Sequence, residues 1–246
     1  VDAPLDRLRS VRARAGLFLD FDGSLAEIVP LPELATPVPG AVEVLRAAAQ
    51  RFALVSVVSG RRESEVRARL PVSGLRVFGI YGLEGDPTAV IADRYRAELE
   101  GFAEAVPGAW VEDKGLSLTL HYRAAEDPDA AEALLRRPVR RLAQREGLTL
   151  VEGKRTLEIA PAPIPGKGEV VVRVAQEAGL QGALYAGDDL ADLHAFAALD
   201  QLSTKGIPTV KVAVQSEETP REVVVAADLV VDRPAGLVEL LRRLVS

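Results

Sequence analysis

The sequence predicts an α/β protein: a parallel-sheet core interrupted by an inserted segment of α+β character. Short, wholly apolar runs alternate with amphipathic stretches near both ends of the chain, the rhythm of a parallel sheet with its helices. Between residues 87 and 162 that rhythm gives way to apolar–polar alternation, which marks antiparallel strands. A length of 246 residues, 48% hydrophobic and 27% charged, supplies a core for both parts.

Residues 16–21 form an apolar run that ends in acid and reads as a buried parallel strand. Pro39 opens a helix with Val42, Leu45 and Ala49 on one face. Residues 53–58 are a second buried strand ending at Ser59-Gly60, and residues 62–70 a polar helix. Residues 75–80 give a third strand, ending among Gly79, Gly82 and Gly85. Past Asp86, the residues Tyr95, Leu99, Phe102 and Val106 keep helical spacing. Leu116, Leu118 and Leu120 then alternate with Ser117, Thr119 and His121, predicting a strand exposed on one face. Asp127-Pro128 caps a further helix, in which Pro138 predicts a kink or break. Residues 148–151 and 156–159 complete the antiparallel set. Pro161 and Pro163 mark the return to the core. There, helices at 169–177, 190–199 and 237–244 alternate with strands near 183–186, 209–214 and 229–231. The predicted division is 1–86 with 163–246 for the core and 87–162 for a cap.

Composition narrows the chemistry. A net charge of −6 and a pI near 5.2 leave no broad basic face for nucleic acid. The absence of Cys excludes disulfides, zinc–thiolate sites, iron–sulfur clusters and cysteine nucleophiles. His121 and His194 are the only imidazoles, too few for a multi-histidine metal site. No apolar run reaches the ~18 residues of a membrane span, and Val1-Asp2-Ala3-Pro4 has no signal-peptide pattern, so a cytoplasmic location is expected. Only five of the 30 basic residues are Lys: Lys114, Lys154, Lys167, Lys205 and Lys211. A lysine kept against such an arginine bias marks a place suited to a compact ammonium.

The polar clusters fall where core strands end, and ligand sites of open α/β sheets lie at the carboxyl ends of strands. In Asp20-Phe21-Asp22-Gly23-Ser24 the two acids are two residues apart, so an extended chain turns them to the same side. They can converge on one centre, or Asp22 can cap a turn. Gly187-Asp188-Asp189, with Asp192 one turn on, closes another apolar strand. Acid concentrated at two buried strand ends calls for a cation, and oxygen ligands without Cys point to Mg²⁺; solvated helix-terminal acids are the alternative. Ser59-Gly60-Arg61 offers a hydroxyl, amides and a guanidinium as an oxyanion seat, or an N-cap. Lys167, in Gly166-Lys167-Gly168, starts a helix without P-loop spacing; on its own it reads as a solvated loop lysine.

Together and in this order, the four clusters resemble the motifs of the haloacid-dehalogenase (HAD) phosphohydrolases. Within them the chain is similar to the trehalose-6-phosphate phosphatases. Further matching stretches are Val111-Glu112-Asp113-Lys114, His121-Tyr122-Arg123 and Gly153-Lys154 with Glu158. The resemblance implies a Rossmann-like HAD core with a C2-type α+β cap. It implies Asp20 as nucleophile, Asp22 as acid and base, Ser59 and Lys167 on the phosphoryl group, and Arg61 among the substrate ligands. Mg²⁺ would be held by Asp20, the Asp22 backbone carbonyl and Asp188, with Asp189 and Asp192 in support. The cap residues Glu112, Lys114, Arg123, Lys154 and Glu158 would read the sugar, although as a bare sheet face they fit cross-strand ion pairs too. A trehalose-6-phosphate synthase is the implied functional partner, with neither nucleic acid nor membrane.

The chain departs from the family pattern at three places: Tyr81 stands for the usual His, Ala191 and Leu193 for Thr and Glu, and Ser24 for Thr. These bear on the substrate more than on the chemistry. Two alternatives stay open, a sister phosphatase for a sucrose- or mannosyl-type phosphate and a non-catalytic regulatory domain of a sugar-synthesis assembly. A receiver module would be about half this length and lack the cap.

Overall fold

The computed structural model describes residues 3–84, 89–91 and 93–246. Val1, Asp2, Gly85 and the expected boundary at Asp86 lie outside the described residues. The chain begins with α1 (Ala3–Ser10), β1 (Ala15–Leu19), α2 (Ala41–Ala49), β2 (Leu54–Val58), α3 (Glu63–Arg69) and β3 (Leu75–Phe78). Next come α4 (Asp93–Glu104), β4 (Trp110–Asp113), β5 (Leu118–His121), α5 (Pro128–Glu146), β6 (Leu148–Gly153) and β7 (Thr156–Pro161). It closes with α6 (Gly166–Glu177), β8 (Gly182–Gly187), α7 (Asp192–Ser203), β9 (Thr209–Gln215), α8 (Arg221–Ala226), β10 (Leu229–Asp232) and α9 (Arg233–Val245). Two compact units result, Val1–Gly82 with Pro165–Ser246, and Leu83–Ile164.

The first unit is a six-stranded parallel sheet in the order β10-β9-β8-β1-β2-β3. β1 is buried throughout because both faces of a parallel sheet are covered: Leu17 and Leu19 join one apolar cluster, Phe18 the other. The chain leaves β1 in one direction through β2 and β3, and returns in the other through β8, β9 and β10. The order therefore reverses between β1 and β8, which makes the carboxyl ends of those strands the natural ligand crevice. In α2 the buried face is Ala41, Val44, Leu45 and Ala48. The expected Val42–Leu45–Ala49 face overlaps it: Leu45 is fully buried, and Val42 and Ala49 pack, partly buried, at the margins of the same apolar cluster.

The second unit is a four-stranded antiparallel sheet, β4-β5-β7-β6, with α4 and α5. Leu118, Leu120, Leu157 and Ile159 pack against Leu99, Leu135, Val139 and Leu142. Two expectations are corrected here. The polar side of β5 is not exposed: Ser117, Thr119 and His121 are 0%, 1% and 8% accessible. Alternation separates the two faces of a strand but does not say whether its polar face meets water or other polar groups. Pro138 also fails to break its helix, since α5 runs unbroken for 19 residues. The carbonyl that Pro138 leaves without a donor belongs to Leu134, which is 65% exposed and open to water, while Leu135, Val139 and Leu142 pin the helix to the sheet. Asp127 caps it as expected, its Oδ1 accepting the Asp129 and Ala130 amides at 3.0 Å.

Pro138→Ala should therefore stabilise the protein by about 1–2 kcal/mol, because it restores an intrahelical bond and removes a ring clash at modest entropic cost. A thermal midpoint equal to or below wild type would contradict this account of α5.

Candidate active site

The register of the core sheet assembles the site from strand ends. Leu19 pairs with Ala186, so Asp20 and Asp188, each just past its strand, emerge side by side. On the other flank of β1, Ser59 follows the last residue of β2. Asp20 is anchored by its amide, which donates to the Ala186 carbonyl at 2.9 Å. Gly23 adopts φ +80°, and a Cβ there would fall 2.0 Å from Asp188 Oδ2, so only glycine lets this turn lie against the carboxylate. Ser24 donates to Asp188 Oδ1 at 3.3 Å. Gly168 does similar work on the far side: a Cβ would lie 2.5 Å from the His194 carbonyl, so its absence lets α6 close on α7 and carry Lys167 inward.

Lys167 is 4% accessible, and its Nζ lies 3.0 Å from Asp20 Oδ1 and 2.6 Å from Asp192 Oδ1. Asp192 Oδ1 also accepts from the Tyr185 hydroxyl at 2.6 Å, and Oδ2 from the Asp188 and Asp189 amides at 2.8 and 2.9 Å. A carboxylate has about four acceptor positions, and here all are taken. Asp192 thus organises the lysine and the Asp188 loop. Asp189 turns to the loop ahead of α7, with Oδ1 accepting the Leu190 amide at 2.7 Å. Tyr185 was not singled out in the sequence; the signal was a phenol in an otherwise aliphatic strand, where a buried hydroxyl needs a partner.

Electrostatics follow from burial. Burial opposes the charge of Lys167, but Asp192 and Asp20 outweigh it and raise its pKa above the usual lysine range. Burial likewise opposes ionisation of Asp192, yet Lys167, Tyr185 and the Asp189 amide hold it below the usual range. Burial pushes Asp20 well above that range; Lys167 opposes this, while Asp192, Asp188 and Asp22 add to it. One ammonium does not offset the acids gathered here. Asp20, Asp188 and Asp192 offer oxygens within 4.8 Å of one another, all buried; with Asp192 filled by its four donors, Asp20 and Asp188 are the acids that suit a hard cation, and Asp192 braces them.

Asp22 is held differently. Arg61 Nε and Nη2 donate to Asp22 Oδ2 and Oδ1, both at 2.7 Å, in a fork-to-fork pair. The Arg61 guanidinium also lies 5.3 Å from the Phe21 ring centroid. Ser59 is 1% accessible, and its Oγ accepts the Arg61 amide at 3.2 Å. Ser59 does not cap α3, whose N-cap is Arg62. The Ser59–Arg61 turn is clamped from behind, since Tyr81 N donates to Ser59 O and Ile80 N to Arg61 O, each at 2.9 Å. Ile80 and Tyr81 take left-handed φ of 46° and 56°, unfavourable for a β-branched residue and held by those two bonds.

The second unit carries the other cluster. Its members are Glu112 and Lys114 on or beside β4, Arg123 beyond β5, Lys154 in the β6–β7 turn and Glu158 on β7. His121 Nε2 pairs with Glu112 Oε2 at 2.8 Å and stacks on Trp110 at 4.2 Å, 8° from parallel. Lys114 Nζ donates to Glu158 Oε2 at 3.0 Å, and Ser117 Oγ to Glu158 Oε1 at 2.5 Å. Arg123 Nη2 donates to the Lys154 carbonyl at 3.2 Å. Each sugar-reading residue expected from the sequence has a partner in this unit. Trp110, Ser117 and His121 join them as supports.

A family model described as Trehalose-phosphatase matches residues 18–224. The chain belongs to the trehalose-phosphatase family. A trehalose-phosphate phosphatase of Mycobacterium marinum is 30% identical over 251 residues, covering 95% of this chain and 62% of that protein. An uncharacterized glycosyl hydrolase of Mycobacterium tuberculosis is 36% identical over 219 residues, covering 81% of this chain but 16% of its own length. The chain therefore spans less than two thirds of these curated relatives. The C-terminal domain of the Candida albicans trehalose-6-phosphate phosphatase shares the fold, with a TM-score of 0.83 and 22% identity over 98% of this chain and 95% of that one. A HAD-superfamily phosphatase from Bacteroides thetaiotaomicron aligns at TM-score 0.62 and 16% identity, over 96% and 97% of the two chains. The HAD-like α/β fold expected from the sequence is the fold observed. Among the described residues, no helix is long and apolar enough to cross a membrane.

Asp192→Ala should destabilise the core by about 3–5 kcal/mol, since it strands a buried ammonium and frees two backbone amides. Urea unfolding measures this, and a midpoint within experimental error of wild type would contradict the organising role of Asp192.

Proposed function

We propose that this chain is a Mg²⁺-dependent phosphatase that hydrolyses trehalose 6-phosphate to trehalose and phosphate through an aspartyl-phosphate on Asp20. The observation that carries the reading is the Lys167 ammonium placed 3.0 Å from Asp20 Oδ1, beside Asp188, at the switch point of the sheet. Family membership supports the chemistry, and the polar face of the second unit supports a sugar substrate. The residues at 1–86 and 163–246 serve as the catalytic core and those at 87–162 as the recognition cap.

In the first step an Asp20 oxygen bonds to phosphorus as the bond from phosphorus to the sugar oxygen breaks, and Asp22 gives its proton to that oxygen. In the second, Asp22 takes a proton from water, the water oxygen bonds to phosphorus, and the Asp20–phosphorus bond breaks. The barrier to approach is electrostatic: a carboxylate 4 Å from a phosphate dianion meets about 8 kcal/mol of repulsion at an effective dielectric near 20. Lys167 lowers it, and Ser59 donates to a phosphoryl oxygen. Asp20, Asp188 and the Asp22 carbonyl, with Asp189 and Asp192 behind them, would hold Mg²⁺, which would supply two further positive charges. Arg61 parks Asp22 until a phosphoryl group competes for the guanidinium and releases the acid for proton transfer. Glu112, Lys114, Arg123, Lys154 and Glu158 bind the sugar hydroxyls. The reaction consumes the product of a trehalose-6-phosphate synthase, the expected functional partner, and we place it in the cytoplasm.

Asp20→Asn should abolish turnover, because an amide cannot serve as the nucleophile; steady-state phosphate release by the purified variant would refute the assignment. Exhaustive chelation should silence the enzyme and added Mg²⁺ restore it, with Ca²⁺ a poor substitute because its coordination sphere is larger and looser. Activity that survives chelation would remove the cation from the reading. Glu112→Ala or Lys154→Ala should lower the ratio of kcat/KM for trehalose 6-phosphate to that for an aryl phosphate by about 10- to 150-fold, the cost of one charge-assisted hydrogen bond. An unchanged ratio, or a wild type that prefers another sugar phosphate in a panel, would overturn the trehalose assignment.

A further inference from the structure

At the middle of the polar sheet face in the second unit sits a hydroxyl with nothing to bond. Thr119 pairs in register with Glu112 on one side and Glu158 on the other, so the three side chains share a row. Along its own strand its same-face neighbours are Ser117 and His121. These four neighbours couple around it: Ser117 donates to Glu158 at 2.5 Å, and His121 pairs with Glu112 at 2.8 Å. Thr119 is 1% accessible, and its Oγ1 has no hydrogen-bond partner among the described residues. A buried hydroxyl left this way is costly, and valine, its near isostere, would fill the same space without that cost.

We propose that Thr119 is a further sugar-recognition residue, whose Oγ1 bonds a hydroxyl of the sugar at the centre of the face. The proposal rests on the sugar-phosphatase reading above. Chemistry selects the ligand group. Carboxylates stand on both sides of Thr119, so an anion such as phosphate is disfavoured there. A neutral group that both donates and accepts matches the Thr119 hydroxyl. The paired surroundings hold Glu112 and Glu158 on either side of Thr119, and a sugar hydroxyl that enters between them meets a partner still unsatisfied.

The test titrates free trehalose into the intact protein by calorimetry. The emission of Trp110, the only tryptophan, follows the same titration, since its ring stacks on His121 beside Thr119. Thr119→Val should weaken binding about 3- to 10-fold, the loss of one hydrogen bond, and lower kcat/KM for trehalose 6-phosphate by a similar factor. Its thermal midpoint should hold or rise by a few degrees, because the orphan hydroxyl is gone. Thr119→Ser, which keeps the hydroxyl, should bind within about twofold of wild type. Lost binding together with a lowered midpoint would make Thr119 a scaffold residue and overturn the proposal. A responsive wild type matched by Thr119→Val would overturn Thr119 alone. A wild type that neither binds trehalose nor hydrolyses its phosphate would overturn the substrate reading and the proposal with it.

Discussion

Everything in the core unit is arranged around one buried ammonium. Lys167 bridges Asp20 and Asp192, and each of the three is unfavourable alone: burial penalises the charged form of every one. The penalty is met by geometry. Asp192 is saturated by the lysine, the Tyr185 hydroxyl and two backbone amides, so its charge is spread over rigid donors. Asp20 is not saturated in this way, and its carboxyl is the one pushed toward neutrality. That asymmetry separates the two acids: the satisfied one fixes the lysine, and the unsatisfied one is the acid whose ionised form depends on the cations beside it.

The same constraint explains the backbone around the site. Acids at the ends of β1 and β8 approach closely only if the turn beside them carries no side chain, hence Gly23 against Asp188. The lysine reaches the centre only if α6 closes on α7, hence Gly168 against His194. The strained pair Ile80–Tyr81 fixes the Ser59 turn through two backbone bonds, which keeps a hydroxyl and a guanidinium over the strand ends without a covalent tie. Strain of this kind persists where neighbours over-determine it, as at ligand-binding turns.

How much of this was legible follows from what sequence encodes. Strand ends show directly, because an apolar run must stop where the chain meets polar chemistry; Asp20, Ser59 and Asp188 each sit one residue past such a run. That these three converge needs the strand order, which the two directions of the βα repeat imply only after the insertion is removed. Short elements show poorly: α1 and α8 carry weak periodicity, and β4, Trp110 to Asp113, mixes apolar and charged residues so that its bounds do not stand out. The polar face of β5 was misjudged because alternation is blind to partners in other strands, and Ser117 finds its acceptor 41 residues away. Pro138 misled for the converse reason, since the local rule is overridden by tertiary packing along α5.

The sugar recognition proposed above would draw on a geometric property of the antiparallel sheet. Its strands stand about 4.8 Å apart, and same-face side chains along a strand about 7 Å, so one face is a fixed grid of polar groups. A grid works as a reader only if its members do not reorient freely. Here they are tied in pairs, His121 to Glu112 and Ser117 and Lys114 to Glu158, with Trp110 stacked at the edge. The opposite face of the same strands is Leu118, Leu120, Leu157 and Ile159, packed on α4 and α5, so the grid is backed by an apolar layer that resists distortion. Rigidity of this face and satisfaction of its buried charges are therefore one property, supplied by the same hydrogen bonds.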